Sequence, residues 1–299
     1  MNAATTNPQI AYLNGAFQAL SETRISVLDR GFLFGDGVYE VIPVYENQPF
    51  RLDAHLDRLA QSLDALQIAD PLTRGEWHQM VTQLIHQNGG GDLAVYIQVT
   101  RGVETRRDHF YSDDTTPTVF AMASRRGEPP AETIEHGVSA ITVDDPRWAR
   151  CDVKAITLLA NVLSRQEARH ADANEAIYIR DGRLTEGAAS NIFLVKGGVL
   201  ITPPKSQSIL PGITRDALID VARNGGIPVD ERPVDQTELA SADELLMTSS
   251  TKEVLAITRL NHQPVGTGRP GPVSLRLRNL WRQSLHTWLA EQIEESATT

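Results

Sequence analysis

Three two-residue turn signals, each set between apolar runs, constrain this chain more than any other feature. They are Asn14-Gly15 in IAYLNGAFQAL, Asp181-Gly182 in EAIYIRDGRLTEG and Gly197-Gly198 in SNIFLVKGGVLITPP. Such dipeptides accept the positive φ of tight hairpin turns, so each predicts a pair of antiparallel strands. Glu46-Asn47 is a fourth turn, inside the extended run GVYEVIPVYENQPFRL. Pro43 interrupts that run, which predicts an edge position or a bulge. LAVYIQVTRG and PTVFAMAS add strands. Between them lie stretches of helical period. Leu56, Leu59, Leu63 and Leu66 recur at helical spacing behind Asp53, the expected N-cap. TRGEWHQMVTQLIHQNGGG, GITRDALIDVARNGG and the terminal VSLRLRNLWRQSLHTWLAEQIEES read as further helices. The expected fold class is therefore mixed α/β, of the α+β kind.

The 299 residues suit two domains of ordinary size. Composition shifts to Pro, Gly and charge at RRGEPPAETIEHG, so 125–137 is the expected linker. That leaves a small N-terminal α/β domain at 1–124 and a larger C-terminal domain at 138–299. The net charge of −10 excludes the basic footprint that nucleic-acid binding needs. No run reaches the roughly 18 apolar residues of a membrane span. MNAATTNPQI has neither a basic nor an apolar secretory region. Cys151 is the one cysteine, so no internal disulfide forms. These features point to a cytoplasmic protein with a small-molecule partner.

The chain has four lysines, and only Lys154, in DVKAITLLANVL, heads a long apolar run. Its ordinary reading is a strand-end lysine whose head reaches water. Its chemical reading is an amine that attacks a carbonyl and forms a Schiff base. Glu186, in GRLTEGAASNIF, is either a turn carboxylate or the partner of a protonated pyridine nitrogen. ILPGITRDALIDVA puts Ile213 and Thr214 at a helix start, where free N–H groups suit a phosphate; the plain alternative is an ordinary terminus capped by Thr214. Ser250, in MTSSTKEV, belongs to a hydroxyl-rich joint that could equally be a capping loop. Arg58 sits one position before Leu59 and is either solvated or aimed at a phosphate. Arg107 and His109, in TRGVETRRDHF, stand two apart after a strand. They are either a charged loop or a fork and ring that trap a carboxylate.

Seven segments occur in one order: LDRGFLFGDGVYEVI, HLDRL, TRG…RDH, DVK, LTEG…SNIF, LPGITR and TSSTKEV. Together they resemble the pyridoxal-phosphate enzymes of fold type IV, over nearly the whole chain. That class holds D-amino acid transaminases, branched-chain aminotransferases and aminodeoxychorismate lyases. The resemblance implies a small N-terminal α/β domain and a larger pseudo-barrel domain that binds pyridoxal 5'-phosphate. It implies that Lys154 carries the cofactor and moves the proton. Glu186 would face the ring nitrogen, and Arg58, Ile213, Thr214 and Ser250 would hold the phosphate. Tyr39 would lie beside Lys154, and the helix through 157–171, with its apolar run, would back the lysine strand and limit water. No metal is implied.

RRDHF is most similar to the D-amino acid transaminase branch. There Arg107, His109 and Tyr39 would trap the substrate carboxylate, with the loop crossing to a partner subunit of a homodimer. The implied reaction moves an amino group from D-alanine or D-glutamate to a 2-oxo acid such as pyruvate or 2-oxoglutarate. Aminotransferases for branched-chain acids or (R)-amines, and an aminodeoxychorismate lyase, are the alternatives of the same fold. A catalytically silent scaffold would keep the fold and leave Lys154 idle. The chain departs from the class at Ala155, Thr157, Ala188 and Ala189, and at Pro43.

Overall fold

The computed structural model describes residues 9–298, with side chains through 294. The expectation for MNAATTNP falls outside them. The chain divides into two compact units. One comprises 1–127 together with 153–157, and the other comprises 128–152 with 158–299.

The first unit is a six-stranded antiparallel sheet covered by helices. Its strands are β1 (Ile10–Leu13), β2 (Ala16–Ala19), β3 (Gly37–Tyr45), β4 (Gln48–Pro49), β5 (Leu93–Thr100) and β6 (Thr118–Arg125), in the order β2-β1-β6-β5-β3-β4. Its helices are α1 (Arg30–Phe34), α2 (Leu52–Ala65) and α3 (Arg74–Gln87). Asn14-Gly15 and Glu46-Asn47 make the expected turns, with positive φ at all four residues. Pro43 makes no bulge: it sits in register opposite Ala94, and the ladder runs unbroken from Gly37 to Val44. The expected cap Asp53 lies inside the first turn of α2, and Arg51, in the left-handed region, is the N-cap. Strand alternation sends Val38, Ile42 and Val44 into a core with Leu56, Leu59, Leu63, Trp77 and Leu84.

The second unit is built on a nine-stranded mixed sheet. Its strands are β7 (Val138–Asp144), β8 (Glu175–Arg180), β9 (Arg183–Gly187), β10 (Asn191–Lys196), β11 (Val199–Thr202), β12 (Val229–Glu231), β13 (Glu244–Ser249), β14 (Glu253–Leu260) and β15 (Gln263–Pro264). The order is β12-β11-β10-β13-β14-β7-β8-β9, with β15 beside β14. The hairpins at 181–182 and 197–198 form as expected, and β7 adds parallel pairs with β14 and β8. Helices α4 (Ala131–His136), α5 (Leu159–His170), α6 (Ile213–Asn224), α7 (Gln236–Ala240) and α8 (Pro272–Thr298) complete it. The short helix α4 lies within the expected linker.

The apolar run after Lys154 is not core. In α5, Leu159, Val162 and Leu163 are 71%, 59% and 61% exposed, and only Ser164 and Ala168 are buried. Their spacing of three and four places them on one outward stripe. Among the described residues, no helix is long and apolar enough to cross a membrane.

Candidate active site

Lys154 owes its position to strand alternation in the first unit. The segment 153–157 runs beside β3, with Val38 opposite Ala155. Tyr39 N–H donates to the Lys154 carbonyl at 2.9 Å, and Ile156 N–H to the Gly37 carbonyl at 3.0 Å. Val153 and Ala155 point into the core. Lys154 therefore points to the other face, as Tyr39 does, and its Nζ lies 4.2 Å from the centre of the Tyr39 ring. The lysine head is thus carried by two buried neighbours rather than buried itself. Tyr39 stacks at 5.8 Å on Tyr96, whose hydroxyl donates to Gln98 at 2.7 Å. Burial, with Tyr39 adding to it, pushes the Tyr96 phenol up to about 12, which keeps that donor in place.

Arg58 is buried, not solvated. His55, Arg58 and Ser62 follow at helical spacing along one edge of α2. Arg58 donates through Nε and Nη2 to the two Glu40 oxygens, each at 2.8 Å. His55 Nδ1 lies 2.7 Å from the same carboxylate. The Lys154 backbone N–H donates to Ser62 Oγ at 3.2 Å, which ties the lysine to the same helix edge. Burial alone would raise the Glu40 carboxyl, but Arg58 and then His55 outweigh it and hold it well below the usual carboxylate range. Burial also pulls His55 below the ordinary imidazole value, against the opposing pull of Glu40. His55 is then neutral beside an ionised Glu40, so Nδ1 is assigned as the proton-bearing nitrogen.

Arg107 and His109 come together on another ring. The Arg107 guanidinium lies 4.8 Å from the centre of Phe34, and the His109 ring 5.4 Å from it. Both are exposed. Arg30, at the start of α1, pins their loop by donating to the carbonyls of Asp108, His109 and Phe110. Among the described residues, no hydrogen bond, ion pair or ring contact joins either of them to Tyr39 or Lys154.

In the second unit, Glu186 at the end of β9 is buried and held on both sides. Arg147 Nη1 donates to its Oε1. The Leu210 N–H at 3.0 Å and Asn191 Nδ2 at 3.2 Å donate to its Oε2. Asn191 also donates to the Leu210 carbonyl at 3.0 Å, so it couples Glu186 to the loop entering α6. Gly212, not Thr214, is the N-cap of α6, and no side chain caps that end. A Cβ on Gly212 would lie 2.0 Å from Asn191 Oδ1, so the close approach requires glycine. The first intrahelical bond comes from Asp216, so the N–H groups of Ile213 and Thr214 face outward at the positive end of the dipole. Thr248 stands opposite Asn191 in the β10–β13 ladder, and its buried hydroxyl has no partner among the described residues. Ser250 lies in the turn between β13 and β14 and is half-buried.

These donors fit a phosphorylated pyridine. Within the second unit, a helix end and an orphaned hydroxyl suit anionic oxygens, and a carboxylate held by Arg147 suits a ring N–H. Within the first unit, a lysine lies on the face of a tyrosine. Sequence reasoning missed Glu40, His55, Arg147, Asn191 and Thr248. Glu40 left a trace, because it is the one charged residue on the inward register Val38-Glu40-Ile42-Val44, a position that demands a buried partner. Arg147 left none in DDPRWAR, which reads as a solvated loop.

The profile of amino-transferase class IV matches residues 37–260. The chain belongs to that family. This class IV aminotransferase is 39% identical over 280 residues to the D-alanine aminotransferase of Bacillus licheniformis, covering 94% of this chain and 98% of that one. It is 39% identical over 267 residues to the D-alanine aminotransferase of Listeria innocua, covering 89% and 92%. Among solved structures, the branched-chain amino acid aminotransferase of Escherichia coli superposes with a TM-score of 0.85 at 29% identity, covering 91% of this chain and 92% of that one. A T.th. branched-chain amino acid aminotransferase with pyridoxamine 5'-phosphate superposes with a TM-score of 0.83 at 28% identity, covering 92% and 93%. The expected fold type IV architecture is therefore the fold of this class IV aminotransferase.

Proposed function

We infer that this aminotransferase moves an amino group from a D-amino acid, of the D-alanine or D-glutamate kind, to a 2-oxo acid such as 2-oxoglutarate or pyruvate. The observation that carries this reading is the run of D-alanine aminotransferases, 36–39% identical over about nine-tenths of the chain. Pyridoxal 5'-phosphate is the cofactor in this reading; when bound, it supplies an electron sink for the carbon that loses the amino group. Lys154 Nζ would hold the cofactor and would take and return the substrate α-proton, with the Tyr39 ring beside it fixing its approach. Glu186, held by Arg147, would accept the ring N–H. Arg58, Ile213, Thr214 and Ser250 hold the phosphate, and Thr248 adds a hydroxyl.

Arg107 and His109 bind the substrate carboxylate, and they do so in a homodimer, where the exposed loop reaches the site of a second copy. The outward stripe of Leu159, Val162 and Leu163 supports such pairing. The single cysteine supports a cytoplasmic setting. The structural likeness to branched-chain enzymes favours a second reading, but at 29% identity against 39%.

A donor panel with 2-oxoglutarate tests the choice. D-alanine should turn over at least a hundredfold faster than L-leucine or (R)-phenylethylamine, and aminodeoxychorismate should not be cleaved. Preference for L-leucine would establish the branched-chain reading instead.

A further inference from the structure

Behind Glu186 lies a row of alternating charges that the reaction does not touch. Arg147 stands between two carboxylates. Its Nη1 reaches Glu186, and its Nε and Nη2 reach Asp145 at 2.9 and 2.8 Å. Asp145 is in turn met by Arg180 at 3.0 Å and by the Thr185 hydroxyl at 3.1 Å. The Asp145 side chain is 0% exposed, and those of Arg147 and Glu186 are nearly as buried. The Tyr178 ring covers the Arg147 guanidinium at 4.3 Å. The row reads Arg180 plus, Asp145 minus, Arg147 plus, Glu186 minus. Cys151 is the other titratable neighbour, 3.8 Å from Arg180, and burial raises its thiol, so it adds no charge.

Such an arrangement matters for a carboxylate that must hold a ring proton. An arginine paired with Glu186 alone would neutralise it and weaken its grip on a ring N–H. Asp145 takes two of the five guanidinium donors, against one for Glu186, and shares the charge. Arg180 in turn moderates Asp145. Neighbours along the row therefore act on Glu186 with alternating sign.

We propose that Asp145 is a positioning residue that draws the Arg147 charge away from Glu186, and so sets how strongly Glu186 holds the cofactor's ring N–H. The inference rests on the cofactor assignment above. It requires no contact between Asp145 and the cofactor. Burial opposes ionisation of Asp145, but Arg147 and then Arg180 outweigh it, so the charge is present at neutral pH.

The test compares two probes on the dimeric protein stripped of cofactor. One is pyridoxal 5'-phosphate, and the other is its carbocyclic analogue with C–H in place of the ring nitrogen. The ratio of their dissociation constants reads the hold on the ring nitrogen and is blind to losses common to both. Asp145→Asn should lower the preference for the nitrogen-bearing ring about tenfold, equivalent to one unit of proton affinity on Glu186. Arg180→Met, one step further along the row, should raise the preference about threefold. A purely structural role would weaken both probes equally and leave the ratio unchanged in both variants, which overturns the proposal. If Asp145→Asn does not fold, the Arg180→Met ratio decides alone, since no gain in preference also overturns it. A wild type that binds neither probe overturns the cofactor assignment itself, and the proposal with it.

Discussion

Arg58→Met removes the cation from a carboxylate that has no access to water. Glu40 then keeps only His55 as a partner, in a site that is 0% exposed. Removing one member of a buried pair costs roughly 3–5 kcal/mol, because the other charge is left uncompensated. Against a total stability on the order of 5–15 kcal/mol, that is a large share. At about 2–4 °C per kcal/mol for a chain of this size, the apoprotein should melt roughly 10 °C lower at pH 8. The loss should also depend on pH in a defined direction. In the wild type Glu40 is held ionised and His55 is held toward its neutral form, so beyond the imidazole proton on Nδ1 the folded pair resists taking up a second one. In the variant the isolated Glu40–His55 pair takes up one proton, with a single apparent pKa belonging to the pair. A folded-state pKa raised in this way contributes stability at low pH and loses it as pH rises. The gap between variant and wild type should therefore shrink as pH falls from 8 to 5, by up to about 1.4 kcal/mol per unit. Thermal and urea unfolding of both apoproteins at four pH values measures it. A gap below 1 kcal/mol, or one that widens on acidification, would refute the charge assignment at Glu40.

Other substitutions probe other parts of the account. Gly212→Ala should weaken pyridoxal 5'-phosphate binding at least tenfold, because the new methyl meets Asn191 Oδ1; cofactor titration of the stripped protein reads it. Under the proposed homodimer, Val162→Glu places a charge in the exposed α5 stripe and should give a monomer of about 33 kDa in light scattering, with loss of turnover; an unchanged assembly would exclude α5 from its interface. Thr73→Ala breaks the capping box with Glu76 at the start of α3 and should cost about 1 kcal/mol in urea unfolding without altering kcat.

The turns and helices were open to sequence reasoning because their causes are local. Asn14-Gly15 and Asp181-Gly182 need only their own φ preferences, and the leucine spacing of α2 needs only its own period. Errors arose where a local rule met tertiary context. Asp53 is a better intrinsic cap than Arg51, yet the chain leaves β4 in a left-handed turn at Arg51 and begins the helix two residues earlier. The run after Lys154 is as apolar as a core strand, yet the residues that support the lysine are Val153 and Ala155 beside it, and the leucines point outward. The candidate residues Lys154, Glu186 and Arg58 were legible as types of chemistry. Their holders were not, because Glu40 meets a helix 15–18 residues away and Arg147 meets Glu186 across 39 residues. Only folding makes those pairs neighbours.

The central claim is that one lysine of four carries the cofactor. The protein, loaded with pyridoxal 5'-phosphate and treated with borohydride, is digested and its peptides are weighed. A phosphopyridoxyl mass is expected on the peptide containing Lys154, and should disappear in Lys154→Ala. A stable adduct on Lys196, Lys205 or Lys252 instead, or none at all, would contradict it.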